Sequence, residues 1–195
     1  MEIENILRDI KALKKGLNKA LKEGSTKPPV VGRFHKVSFE QFKKDYGDIE
    51  NEEDLITIYE KVLSLPVRSS KDSAGHDFPL TKDIHLKPGE SISISTGIRA
   101  EIIKGWVLLL MPRSGLGVKF RVQLNNTVGV IDGDYFYADN EGHIKATITN
   151  DGKEGKDLIL KAGDRFIQGI FLPYGITSHD QPLGKRTGGH GSSGL

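Results

Sequence analysis

The sequence predicts a mainly β protein, a sandwich or barrel, with a helix at its N-terminus and a short helical insertion. Three observations lead there. From Pro66 to the end of the chain, short apolar runs alternate with Gly, Pro, Asp and Asn. Strands this short and frequent build a sandwich or barrel and not a βαβ sheet. Several runs also alternate strictly: "SISISTGIRAEI" turns Ile92 and Ile94 inward, and "HIKATITND" and "DLILKAGDRFIQGIFLP" behave similarly. Finally, "LKPGES" and "LKAGDR" are two similar turns, each between strands.

Taken in order, residues 2–23 read as a helix. Ile3, Ile6, Ile10, Leu13, Leu17 and Ala20 recur at alternating three and four, with Leu7 and Leu21 on the shoulder. The spacing suits a coiled-coil seam, or a helix laid against a barrel. "GSTKPP" ends it: Gly24 suits a helix C-terminus, and Pro28-Pro29 cannot continue one. "VVGRFHKV" (30–37) is a strand. Ser38 and Gln41 form a capping box for the short helix "FEQFKKDY". "NEEDLITIYEKVLSL" (51–65) is a second helix, with acids in its first turn and Leu55, Ile58, Tyr59 and Val62 on one face. The expected organisation is an extension and linker at 1–29, a β domain at 30–183 with a helical insertion at 38–65, and a Gly-rich tail at 184–195.

Composition narrows the function. The 195 residues include 36% apolar and 28% charged residues, enough for one domain with a real core plus an extension. Twenty-eight basic residues against 26 acidic ones leave +2, so no global field attracts nucleic acid and any anion site is local. The absence of cysteine excludes a disulfide scaffold and a Cys-based zinc site. It is compatible with a reducing compartment, and a cytoplasmic location is expected. No apolar run approaches the ~20 residues of a membrane span. The N-terminus, with early acids and interleaved lysines, does not read as a signal peptide.

Four polar clusters can carry chemistry. "SAGHDF" (73–78) presents Asp77 on a small-residue turn. "PRSGLG" follows the apolar run 105–110: Arg113 can fork onto phosphate oxygens, Ser114 can donate a hydroxyl, and the Gly115 N–H can approach a ligand closely. "NNTVGVIDGDY" reads as a β-hairpin at its center, with the Asn126 amide offering both donor and acceptor to a planar ring and Asp132 as a possible base. The tail carries Arg186, His190 and Ser192 among glycines. Each has a plainer reading: Asp77 as a turn cap, Arg113 in a surface ion pair, Asn126 and Asp132 as turn formers, the tail as a loose end.

Their order resembles the trimeric dUTPase family. The resemblance rests on five motifs over residues 66–195: Ala74-Gly75-His76-Asp77; Pro112 to Gly117; Asn126 with Gly129, Ile131, Asp132 and Tyr135; Gly163, Arg165 and Gln168; and Gly188-Gly189-His190-Gly191-Ser192-Ser193-Gly194. It implies a jelly-roll-like β-barrel, a homotrimer with active sites shared between subunits, and Mg²⁺-dependent hydrolysis of dUTP to dUMP and pyrophosphate. It also implies a role for each residue. Asp132 is the general base. Asn126 and the backbone around Gly129, Val130 and Ile131 hold uracil. Tyr135 packs under the deoxyribose, and Lys145 lines the nucleotide. Arg113, Ser114, Gly115 and Gln168 hold the phosphates, and Asp77 reaches the metal through water, with no direct protein ligand. Gly189, His190, Ser192 and either Arg186 or Lys185 belong to a closing lid.

The chain departs from the family pattern at the tail arginine, at His190 (often Phe), and in the long "FYADNEGHI" stretch after Tyr135. Helix 2–23 and segment 38–65 are extra, as in some bacterial and phage-like members. The nearest alternative is dCTP deaminase of the same fold, for which Glu141 is the candidate acid; but Gly133 stands where deaminases have proline. A regulatory protein partner binding helix 2–23 or the insertion is a second possible role.

Overall fold

The computed structural model describes residues 28–47, 51–152 and 155–181. Helix 2–23 and the tail residues Lys185, Arg186, Gly189, His190 and Ser192 lie outside the described residues. The chain divides into two units, Met1–Val30 and Val31–Leu195.

The elements of the second unit run β1 (Gly32–Lys36), α1 (Phe39–Tyr46), α2 (Glu52–Thr57), β2 (Val67–Arg68), β3 (His76–Pro79), β4 (Ile84–Leu86), β5 (Ser91–Ser95) and β6 (Ile98–Ile102). Then come β7 (Trp106–Pro112), α3 (Ser114–Phe120), β8 (Val122–Leu124), β9 (Gly129–Ile131), a 3₁₀ turn (Gly133–Tyr137), β10 (Lys145–Asn150), β11 (Leu158–Leu160) and β12 (Arg165–Pro173). The strands pair antiparallel in four sheets: β2-β3-β12-β7-β9, β5-β10-β8, β1-β6 and β4-β11. This is the mainly β, jelly-roll-like architecture that the short alternating runs require. Ala146, Ile148 and Asn150 of β10 face inward, as do Val122 and Leu124 of β8. With Phe78, Leu108, Leu110, Phe166 and Ile167 they belong to the buried core.

The two similar turns share one construction. In "LKPGES" the Glu90 amide donates to Lys87 O and the Glu90 carboxylate accepts the Lys87 amide. In "LKAGDR" Asp164 and Lys161 make the same pair of bonds. Gly89 and Gly163 supply the positive φ, +84° and +90°, that such turns need.

The insertion forms two short helices, with differences from the sequence reading. Ser38 caps α1 by accepting the Gln41 amide at 3.1 Å. The return half of the capping box is absent: the Ser38 amide donates to Glu141 instead, and the Gln41 side chain donates to Asp45. Helix α2 is capped by Asn51 and widens after Thr57 into a π-helical turn, Ile58–Val62, so it stops short of residue 65. Within that turn the Tyr59 carbonyl accepts Lys36 Nζ and the Tyr59 hydroxyl donates to Val37 O.

The insertion seats on Gly97. At φ +73° an added Cβ there would lie 2.6 Å from Leu63 Cδ2 and 3.1 Å from Phe42 Cε2. Gly97→Ala therefore combines backbone strain with overpacking and should cost about 2–4 kcal/mol. Gly89→Ala, also at positive φ but with nothing within 4 Å, should cost only the strain, about 1 kcal/mol. Thermal unfolding of the two variants checks this; equal shifts would show that Gly97 is not a packing seat.

Candidate active site

The five-stranded sheet brings three of the sequence motifs together. Gln168 on β12 stands opposite Asp77 of β3 on one side and Met111 of β7 on the other. The Asp77 carboxylate is buried, at 5% exposure. Arg113 Nε lies 2.8 Å from its Oδ1, and Arg165 Nη1 lies 3.1 Å from its Oδ2. The plainer expectation for Arg113, an ion pair, thus holds, but the acid is a buried one. Asp77 aims both arginines, whose side chains stay 32% and 47% exposed. Gln168 Nε2 donates to Pro112 O at 3.3 Å. Gly75 makes room for it, since a Cβ there would come within 2.5 Å of Gln168 Oε1. Arg165 was legible only as a motif position; its pairing with Asp77 is set by strand register.

Ser114 and Gly115, both exposed, do not sit in a loop. They open helix α3, about two turns that the glycines at 115 and 117 disguise in the sequence. Its first backbone bonds are from Leu116 and Gly117 to Arg113 O, at 3.0 and 2.9 Å. The Ser114 and Gly115 amides precede that ladder, as donors of a helix's first turn do.

The expected hairpin at 125–135 is replaced by a crossing between sheets. Strand β8 pairs with β10, whereas β9 pairs with β7, setting Gly129 opposite Leu110, Val130 opposite Leu109 and Ile131 opposite Leu108. The turn between them carries Asn126, exposed, and Thr127 at φ +66°. Gly129 fits because a Cβ would stand 3.1 Å from Leu110 Cβ. Asp132 is exposed and leads the 3₁₀ turn. Tyr135 is 7% exposed; its hydroxyl donates to His143 O at 2.7 Å and accepts from Asn140 Nδ2 at 2.8 Å. Leu108 and Arg113 are roughly 17 Å apart along an extended strand. Asp132, beside Ile131, is therefore separated by that order of distance from the Arg113 cluster of its own chain.

Lys145, expected beside a nucleotide, has its Nζ 2.7 Å from Asp45 Oδ1 in the insertion. Asp45 Oδ2 lies 2.6 Å from His143 Nδ1 and accepts from Gln41 Nε2 at 2.6 Å. The Gly97 amide donates to His143 Nε2 at 2.7 Å, so the proton of the neutral ring sits on Nδ1. Burial opposes the charge of Asp45, but hydrogen bonds from Lys145, Gln41 and His143 outweigh it and hold its pKa below the ordinary value. Glu141 is similarly committed: it accepts the Ser38 amide at 2.8 Å and the Ser38 hydroxyl at 2.5 Å, and pairs with Arg99 at 3.6 Å. Among the described residues, no group of three or more His, Cys, Asp or Glu is placed to hold a metal ion.

The dUTPase family model matches residues 61–194. The chain is 37% identical over 145 residues to the deoxyuridine 5′-triphosphate nucleotidohydrolase of Lactococcus lactis, covering 72% of this chain and 95% of that protein. It is 33% identical to the corresponding protein of Desulfitobacterium hafniense, over 70% and 91% of the two chains. The crystal structure of the Streptococcus mutans dUTPase superposes with a TM-score of 0.55 at 32% identity, over 74% of this chain and 98% of that one. A phage phi11 dUTPase shares the fold at 22% identity, with a TM-score of 0.53, over 65% of this chain and 94% of that one.

Burial holds the pKa of His143 and of His76 below the usual imidazole value. The unfolded chain then takes up protons first as pH falls. The stability these rings contribute is present above about pH 6.5 and is lost as pH drops through it. Asp45 and Glu141, also lowered, add a loss of the same sign below about pH 4. Denaturant midpoints should therefore fall between about pH 7.5 and 5, and fall less in His143→Gln. A midpoint that rises on acidification would contradict this.

Proposed function

The chain belongs to the dUTPase family, and we propose that it hydrolyses dUTP to dUMP and pyrophosphate by attack of water on the α-phosphorus, with Asp132 as general base. The bond from the α-phosphorus to the oxygen it shares with the β-phosphate breaks as the water oxygen adds, and that oxygen leaves with the pyrophosphate. The proton of the attacking water goes to the Asp132 carboxylate, and pyrophosphate leaves. The observation that carries this reading is the buried Asp77 carboxylate, which holds Arg113 and Arg165 beside Gln168. Two partly exposed arginines fixed by a common acid would present a preorganised cradle to a triphosphate, with the Ser114 and Gly115 amides alongside.

Asn126 and the backbone from Gly129 to Ile131 would receive the uracil, and Tyr135 the deoxyribose. Asp132 and the arginine cluster stand far apart within one chain, which supports the expectation of a homotrimer whose sites each draw on more than one subunit. The donor set fits magnesium carried on phosphate oxygens rather than in a protein cage. The two Asp77 oxygens each retain lone pairs for a water. Asp77 would hold Mg²⁺ through water; when bound, the cation neutralises charge on the triphosphate. The Gly-rich tail, with Gly189, His190, Ser192 and Arg186 or Lys185, would close over the nucleotide and exclude idle water. A deaminase role is disfavoured by Glu141, whose carboxylate is occupied by Ser38 and Arg99.

With Mg²⁺ present, dUTP should yield pyrophosphate while dCTP and dTTP yield almost none; ammonia from dCTP would overturn the reading. Asp132→Asn should lower turnover by the ~10²–10⁴-fold typical of a lost acid–base group and keep nucleotide binding. Near-normal turnover in that variant would remove Asp132 from its role.

A further inference from the structure

The sequence resemblance marks several segments as extra, among them the insertion at 38–65 and the long stretch after Tyr135. These two are bonded to each other. At one end Glu141 accepts both the amide and the hydroxyl of Ser38. At the other, Asp45 accepts from His143 Nδ1 and pairs with Lys145. Between them Phe42 and Leu63 press on Gly97, whose amide is the donor to His143 Nε2. His143 is fully buried and held at both ring nitrogens, so neither its ring nor its backbone is at liberty.

The consequence reaches the substrate side. The His143 carbonyl accepts the Tyr135 hydroxyl, and the His143 amide donates to Asn140 O while Asn140 Nδ2 donates back to Tyr135. Gly142, at φ +68°, lies so close to Tyr135 that a Cβ would be 2.5 Å from the Tyr135 carbonyl. The Tyr135 amide in turn donates to Asp132 O at 3.2 Å. Arg99 closes the far side, donating to Phe136 O with its guanidinium 3.7 Å from the Phe136 ring centroid. The segment from Asp132 to His143 is thus one packed unit, and its anchor to the rest of the domain includes a carboxylate from the insertion.

We propose that Asp45 and His143 are positioning residues for dUTP hydrolysis: the insertion acts as a brace that sets Tyr135 and Asp132 through the chain Asp45–His143–Tyr135. The proposal rests on the function proposed above. It gives the insertion a catalytic consequence without any contact to substrate. Asn at position 45 supplies one carbonyl acceptor where the carboxylate serves three donors, Lys145, His143 and Gln41, so the clamp cannot be satisfied.

The test uses the full chain and two readouts: steady-state kinetics with dUTP, and amide hydrogen exchange across 132–144. Asp45→Asn should raise KM about tenfold, as a misplaced nucleoside loop does, with a smaller fall in kcat and faster exchange across 132–144. A purely structural role would lower the melting temperature and the active fraction, hence apparent kcat, and leave KM unchanged; that result overturns the proposal. Should Asp45→Asn fail to fold, Glu141→Ala, which cuts the Ser38 end of the brace at a partly exposed position, must raise KM in the same way. An unchanged KM there overturns it equally. If the wild-type chain turns over no dUTP, the proposed function fails, and exchange alone decides the brace: unaltered exchange across 132–144 in Asp45→Asn refutes it.

Discussion

A buried carboxylate is expensive to keep charged unless it is paired and hydrogen-bonded. Asp77 satisfies that requirement with two arginines from two other segments, Arg113 after β7 and Arg165 at the start of β12. Much of the site depends on this arrangement. Arg113 also stands at the junction of β7 and α3: its carbonyl accepts the first two helical amides of α3 and its amide donates to Phe166 O. The shared carboxylate fixes the direction of two guanidinium forks whose planar geometry suits phosphate oxygens. Strand register then delivers Gln168 beside Asp77, and Gly75 leaves room for it. In a chain of formal net charge +2, two arginines are thus gathered where the end of β7 and the start of β12 meet Asp77.

The same sheet sets the limit of what one chain can do. Strand β7 carries the arginine cluster at one end and faces Ile131, the neighbour of Asp132, toward the other. Under the function proposed above, this separation has a consequence: a base and a phosphate cradle at opposite ends of a strand would meet only if copies assemble about an axis. The insertion solves a different problem. A long loop after Tyr135 would move freely on its own; buried His143, tied to Asp45 and Gly97, holds it to the domain.

Much of this was legible from residue order. Strand β1 falls inside the run 30–37, the alternation of "SISIS" and "KATITN" became β5 and β10, and Ser38 caps the helix that follows it. What was missed has physical causes. Gly115 and Gly117 are poor helix formers, so α3 was hidden. The hairpin reading of 125–135 failed because β8 and β9 each find a more distant partner strand, and local turn chemistry does not reveal such pairing. Lys145 and Glu141 were read for chemistry when their charges meet groups 100 and 103 residues away in sequence. Side chains at that separation leave no periodic trace.

In the proposed function the arginine cluster and Asp132 lie at separate places on one chain and would meet only between chains. Mixing Asp132→Asn chains with Arg113→Ala chains, unfolded together and refolded, tests it most directly. If each site takes its arginine from one subunit and its aspartate from another, about a quarter of the sites in random mixed assemblies carry both intact groups. Two nearly inactive proteins should then recover roughly that fraction of wild-type dUTP hydrolysis. Activity that stays at the level of the separate variants, in assemblies shown to contain both chains, would contradict the account.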